Sequence, residues 1–240
     1  MTRNMAKSLK LPPLRAAARR DRPDAGQSAG LILDVAERLV QTRGYNGFSY
    51  ADIAAALGVT KASLHYHFAS KSDLGRALIE RYDAAFAHSL AGIDQRFTRP
   101  SDRLRAYVAL YESVIRGQRM CLCGMLAAEV STLPATMQKQ LNAYFDANES
   151  WLGQVLAAGR RRGELQFAEP ARERARALIG ALEGAMLVAR VYGDARRFRA
   201  AVDQLLRDVC RASPPARRRR ESPRTAPPNS PAARSRRSDR

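Results

Sequence analysis

The chain has 240 residues, enough for one ample core or two small domains, with 45% hydrophobic and 27% charged residues. No stretch approaches the ~20 apolar residues of a membrane span. Three cysteines supply neither a secreted disulfide framework nor zinc-ligand spacing, and the expectation is a cytosolic globular protein with no metal and no cofactor. The formal net charge of +18 points to a polyanionic partner, nucleic acid above all.

That charge is concentrated at the two ends. Residues 1–25 hold seven basic side chains against two acidic ones, and residues 213–240 hold nine against two, Arg217 to Arg220 among them. Neither end carries an apolar run of signal-peptide type. Pro12 and Pro13 interrupt the first, and Pro, Ser and Arg dominate the second. Both are expected as disordered basic arms, 1–27 and 213–240, with the capacity to grip DNA phosphates regardless of sequence.

The folded body is expected to start near Ser28. Ile32, Val35, Ala36, Leu39 and Val40 fall at i, i+3, i+4, i+7 and i+8, one apolar stripe of an amphipathic helix that Gly44 ends. Residues 45–48 connect it to a second, short helix over 50–57, with Ile53, Ala54 and Leu57 on one face. Ser49 or Tyr50 opens this helix, and Asp52 in its first turn suits the dipole. Gly58 stops it, because glycine takes the left-handed conformation at little cost. Thr60 is a suitable N-cap for a third helix over 61–68. Ala54 is small enough for that helix to cross closely. Val59 and Leu64 are expected to fill the wedge between the two. Thr60, Lys61, Ser63, His65, Tyr66 and His67 then face outward or partly so, with the donors, cation and rings of a DNA recognition helix.

The run over 60–74, TKASLHYHFASKSDL, resembles the signature of the TetR family of one-component bacterial transcriptional regulators. The resemblance is strong over 29–84 and is one of architecture beyond. It implies a threonine or serine capping the recognition helix, at Thr60, and base or phosphate contacts from Lys61, Ser63 and Tyr66. It also implies a phosphate contact from Lys71. Ser49, His65 and His67 complete the candidate DNA set. The family usually carries tyrosine where this chain has His65, and histidine reaches less far.

A long fourth helix is expected over 72–90, with Leu74, Leu78, Tyr82, Phe86 and Leu90 repeating at i+4. Further helices follow over 102–116, 120–133, 135–162, 170–192 and 194–211, with no convincing alternating strand pattern between them. The expected fold is all-α: a helix-turn-helix DNA-binding domain over 28–74, then a helical ligand-binding and dimerisation domain over 75–212. The resemblance implies a homodimer through the last two helices. Gly180 and Gly184 permit close approach there, and Val202, Leu205 and Leu206 lie on the apolar face opposite; the alternative is internal core. It also implies a small-molecule effector among the middle helices. Candidates are Tyr107, Tyr111, Cys121, Met125, Glu129, Phe145, Trp151 and Met186, against the alternative of plain core. Glu129 stands out as a carboxylate in an apolar helix, where burial demands a partner.

Cys121 and Cys123 sit at an expected helix start just after Arg116 and Arg119. Both features lower a thiol pKa, which makes redox or electrophile sensing an alternative function; two small core residues are the plainer alternative. At i and i+2 the two thiols diverge too far to bridge within a helix. No nucleophile triad, phosphate loop or metal set can be assembled, so no enzyme is expected. The reading is a ligand-responsive repressor that binds a double-stranded operator, without membrane attachment. A nonspecific nucleic-acid binder using the arginine arms is a further alternative.

Overall fold

The structure, a computed structural model, describes residues 25–210. The two basic arms and the cap of the first helix lie outside the described residues. Nine α-helices and no strand occupy the described residues, in the order α1 Ala25–Arg43, α2 Tyr50–Leu57, α3 Lys61–His67, α4 Lys71–Arg96, α5 Pro100–Arg116, α6 Leu122–Ala128, α7 Ala135–Arg161, α8 Ala171–Tyr192 and α9 Ala195–Val209. A single 3-10 turn, Val130–Thr132, follows α6. None of these helices is long and apolar enough to cross a membrane.

Helices α1 to α3 form a small unit around Ile32, Ala36, Leu39, Val40, Ile53 and Leu64, all buried. Ser49 opens α2 by donating its backbone N–H and its hydroxyl to Asp52, both at 2.8 Å. Gly58 closes it at φ 67°, where the Val59 N–H reaches back to the Ala54 carbonyl at 3.1 Å. Thr60 caps α3 by accepting from the Ser63 N–H at 3.2 Å. Leu64 alone fills the wedge; Val59 is 41% exposed, contrary to the sequence expectation. The left-handed Gly58 turns the next residue out of the angle between the helices. The Tyr50 hydroxyl lies 2.9 Å from the Phe68 carbonyl and 2.8 Å from that of Ser70, which ties α2 to the α3–α4 corner.

Several boundaries depart from the sequence reading. Helix α1 starts at Ala25, ahead of Ser28, which shortens the expected arm. Gly92 does not end α4; Ile93 continues the buried face beyond Leu90, and the helix runs to Arg96. The single helix expected over 120–133 is instead short α6 and the 3-10 turn. Glu129, at φ −109° and ψ 16°, breaks it, and Pro134 holds Leu133 extended. Helix α7 crosses α4, α5 and α8, and α9 packs on α5 and α8. Tyr107, Tyr144, Leu152 and Met186 lie at the centre of this body.

The body grips the DNA-binding unit at the end of α1 and at the turn that follows it. The C-terminal carbonyls of α1, left without partners inside the helix, are taken up from outside. Gln41 O accepts from the Met120 N–H at 3.2 Å, and Thr42 O accepts from the Arg190 guanidinium. The turn that follows presents its N–H groups to one carboxylate: Tyr45 N and Asn46 N donate to Glu129 Oε2 at 2.6 and 3.2 Å. Gly44, at φ 86°, is needed on two counts, because a Cβ there would also strike Glu129 Oε1.

Candidate DNA interface and effector cavity

Helix α3 presents Lys61, Ser63, His65 and Tyr66 to solvent, and Tyr66 is 81% exposed. His67 is half-buried, its ring edge-on to that of Tyr66 at 5.2 Å, so it faces outward only in part. Thr60 uses a lone pair for the cap, which leaves its hydroxyl proton for a phosphate. Ser49 differs: its hydroxyl donates to Asp52 and serves the cap. Those bonds hold the Asp52 carboxyl below the usual range, and the guanidinium of Arg43, 3.3 Å away, adds to the effect.

Ser49, Lys61, His65 and Lys71 meet around one notch between the start of α2 and the α3–α4 corner. His65 sets its Nδ1 3.1 Å from the Ala69 carbonyl. A carbonyl only accepts, so Nδ1 carries a proton there and Nε2 is the free ring atom. The Tyr50 ring lies 4.7 Å from it. Lys71 is half-buried, donating to the Phe48 carbonyl, with its ammonium 4.7 Å above the Tyr45 ring and 4.4 Å above the Phe48 ring. Burial lowers its pKa, and the carboxylates of Glu129 and Asp52 oppose that shift. Lys71 thus holds the connector as well as lining the notch.

A cavity of about 390 Å³ opens where α1, α4 and α5 meet, lined by Tyr82, Ala85, Phe86, Leu110, Tyr111, Val114 and Cys121. Its rim is ionic. Arg81 of α4 reaches Asp34 Oδ1 and Glu37 Oε2 of α1, each at 2.7 Å. Of the residues expected from the sequence, Tyr111 and Cys121 line this cavity. Tyr107 lies directly behind, its hydroxyl 3.1 Å from that of Tyr111 and 2.8 Å from Asn148 Oδ1.

The other expected ligand residues are placed elsewhere. Glu129 clamps the α1–α2 turn and is not a cavity group. Met125 lies against Arg190, 3.1 Å from sulfur to guanidinium nitrogen. Trp151 stacks on Tyr107 at 5.6 Å and donates to Asp94 at 2.9 Å, in a separate groove with Arg103 and Arg161. Phe145 packs edge-on to Tyr144, and Met186 is fully buried core. Asp34, Glu37, Arg81, Tyr82 and Phe86 were not singled out in the sequence. The i+4 repeat of α4 contained Tyr82 and Phe86, but nothing local marks which apolar residues border a void.

The cysteines do not fit the sensor expectation. Cys121 and Cys123 are buried, and burial pushes both thiols well above the ordinary value. Cys121 does cap α6, accepting from the Gly124 N–H at 3.4 Å. The expected cation is absent from its surroundings, however, because Arg119 turns to Gln41 Oε1 at 3.3 Å. The nearest charged neighbour is Glu183 of α8, which raises the thiol further. Glu183 packs so closely on Gly124 that a Cβ there would collide with its carboxylate. Its Oε1 is shut from solvent with no hydrogen-bond partner, and burial raises its pKa.

On the outer side of α8, a Cβ added at Gly180 or Gly184 would meet open space, and Leu187, Val188, Val191 and Tyr192 are exposed. Leu205 and Leu206 of α9 are half-buried. Val202 belongs to the protomer's own core at 2% exposure, which corrects its expected place in an interface. No group of three His, Cys, Asp or Glu side chains suited to a metal ion occurs among the described residues.

Comparison with known proteins places these features in context. Residues 32–78 match the family described as bacterial regulatory proteins, tetR family, and residues 100–205 match the tetracyclin repressor-like C-terminal domain. The chain is 36% identical to the crystal structure of a TetR-family transcriptional regulator from Agrobacterium tumefaciens, at a TM-score of 0.75, covering 77% of this chain and 98% of that one. It is 29% identical to the transcriptional regulator AcuR of Cereibacter sphaeroides, over 72% of this chain and 80% of that protein. It is 27% identical to the transcriptional repressor DhaR of Mycobacterium sp. strain GP1, over 72% and 86% of the two chains.

Proposed function

The chain belongs to the TetR family of bacterial regulatory proteins, and from that premise we propose that α3 reads an operator, that the α1–α4–α5 cavity takes the effector, and that α8 joins two copies. As a member of that family it is a ligand-responsive, DNA-binding transcriptional repressor. The observation that carries the assignment to α3 is Tyr66. Its aromatic ring is 81% exposed, on a helix capped by Thr60 whose one buried residue is Leu64, and touches the protomer only edge-on at His67. Lys61 beside it, Ser63 and the free Thr60 proton supply the polar contacts. In this reading Lys71 and His65 Nε2 face phosphate across the notch, and Ser49 acts through the α2 cap.

The cavity reading rests on position. Its wall includes α1, which belongs to the DNA-binding unit, and α4, which continues into the body. Effector binding there shifts the dimer toward a state whose reading helices no longer match two operator half-sites, and DNA affinity falls. Tyr66→Ala and Lys61→Ala test the interface. Each is expected to weaken operator binding by about 1–3 kcal/mol while the thermal transition stays in place. Parental affinity in both variants would remove α3 from the DNA contact.

A further inference from the structure

The rim of the cavity carries a charge pattern that selects among effectors, an inference that rests on the cavity being the effector site. Two carboxylates, Asp34 and Glu37, share one guanidinium, Arg81. Arg81 gives Nη1 to Asp34 and, at 3.4 Å, to the Gly30 carbonyl, and Nη2 to Glu37. It engages Asp34 Oδ1 and Glu37 Oε2, and the second oxygen of each carboxylate can accept from another donor. Among the described residues, no other cationic side chain lines the cavity. An anion entering here shares Arg81 with two carboxylates and faces their excess negative charge. A cation meets an uncompensated negative charge and unused lone pairs.

The wall beyond the rim points the same way. Tyr82, Phe86 and Tyr111 bring three aromatic rings to the cavity, and ring faces attract cations, most strongly where water is excluded. The volume of about 390 Å³ lies in the range of small-molecule sites. We propose that the effector is a small cationic amphiphile, an ammonium group on an aromatic or aliphatic body, with its charge at Glu37 and Asp34 and its body among Tyr82, Phe86 and Tyr111. Its charge competes with Arg81 for the two carboxylates of α1. The ligand thereby loosens the ionic tie between the DNA-binding unit and α4.

The test uses the full-length protein, calorimetry and three probes of matched shape: phenylbutylamine, phenylbutanol and phenylbutyrate. The amine is expected to bind about tenfold more tightly than the alcohol, with the carboxylate weakest, and to release operator in the same order. Glu37→Gln, and separately Phe86→Leu, should each shrink the advantage of the amine over the alcohol to about threefold or less. Failure of the amine to bind, or an alcohol or carboxylate that binds as tightly, overturns the inference, as does an amine advantage that survives both variants. Ala85→Trp fills the cavity and separates the two readings. Equal binding of all three probes that Ala85→Trp abolishes overturns the charge preference and leaves the effector site standing. Amine binding that Ala85→Trp does not affect removes the cavity, and the inference with it.

Discussion

Cys121 caps α6 with its sulfur and is 2% exposed, and these two facts pull its chemistry in opposite directions. The N–H of Gly124 favours the thiolate. Burial and the neighbouring Glu183 disfavour it and prevail. Native protein treated with iodoacetamide is therefore expected to modify Cys210, the half-buried thiol, well before Cys121 or Cys123. Faster modification of Cys121 than of free cysteine would restore the sensor alternative. Glu183 makes a second prediction. Burial raises its pKa above the ordinary 4.5, and the hydrogen bond from Cys121 offsets part of that rise. Between 4.5 and the raised value, the folded state binds more protons than the unfolded state, so stability falls as pH rises through that window. Glu183→Gln has no proton to lose. Its melting temperature relative to the parent should climb with pH across the window and level off above it. A difference that does not change with pH would show that the carboxyl titrates as in the unfolded chain.

Among elements, α2 and α3 were the most legible. Ser49, Gly58 and Thr60 are punctuation that acts within four residues, so the bounds of α2 followed directly from residue type. The long apolar repeats placed α4, α5, α7 and α8 for the same reason. What the sequence did not carry is contact between distant segments. From sequence, Glu129 is open to a core arginine, a ligand or water as its partner. Its partners are the N–H groups of Tyr45 and Asn46, which no spacing rule connects to it. Arg81 carries no local signal of its role, yet it joins α4 to α1. The clamp at Glu129 is itself testable. Glu129→Ala strands the Tyr45 and Asn46 donors, at a cost of about 1–3 kcal/mol in urea unfolding. Exchange of the Tyr45 amide with solvent should accelerate, while amides in α7 keep their protection. Unchanged stability would mean that water replaces the carboxylate at no cost.

At the scale of the molecule, α8 has two unlike sides. Leu178, Leu182, Met186 and Ala189 are buried in the protomer, while Leu187, Val188, Val191 and Tyr192 are exposed, Val191 at 83%. An exposed apolar stripe of this kind is the mark of a contact with another molecule. Gly180 and Gly184 carry the stripe toward the helix start with nothing above them, which leaves room for a second backbone. The proposed two-fold dimer would set the stripe against its own copy and bring two α3 helices to one duplex, where half-sites recur about 34–36 Å apart. Gly184→Glu and Val191→Arg each put a charge into that dry contact, which strongly opposes association. Both are expected to sediment as folded monomers and to lose most of their operator affinity, because one short helix makes few base contacts. Val202→Arg separates interface from core: Val202 is 2% exposed inside the protomer, so this substitution should unfold the chain, not divide a dimer. Folded dimers in both Gly184→Glu and Val191→Arg would move the contact off α8, and a folded monomer in Val202→Arg would restore that residue to the interface.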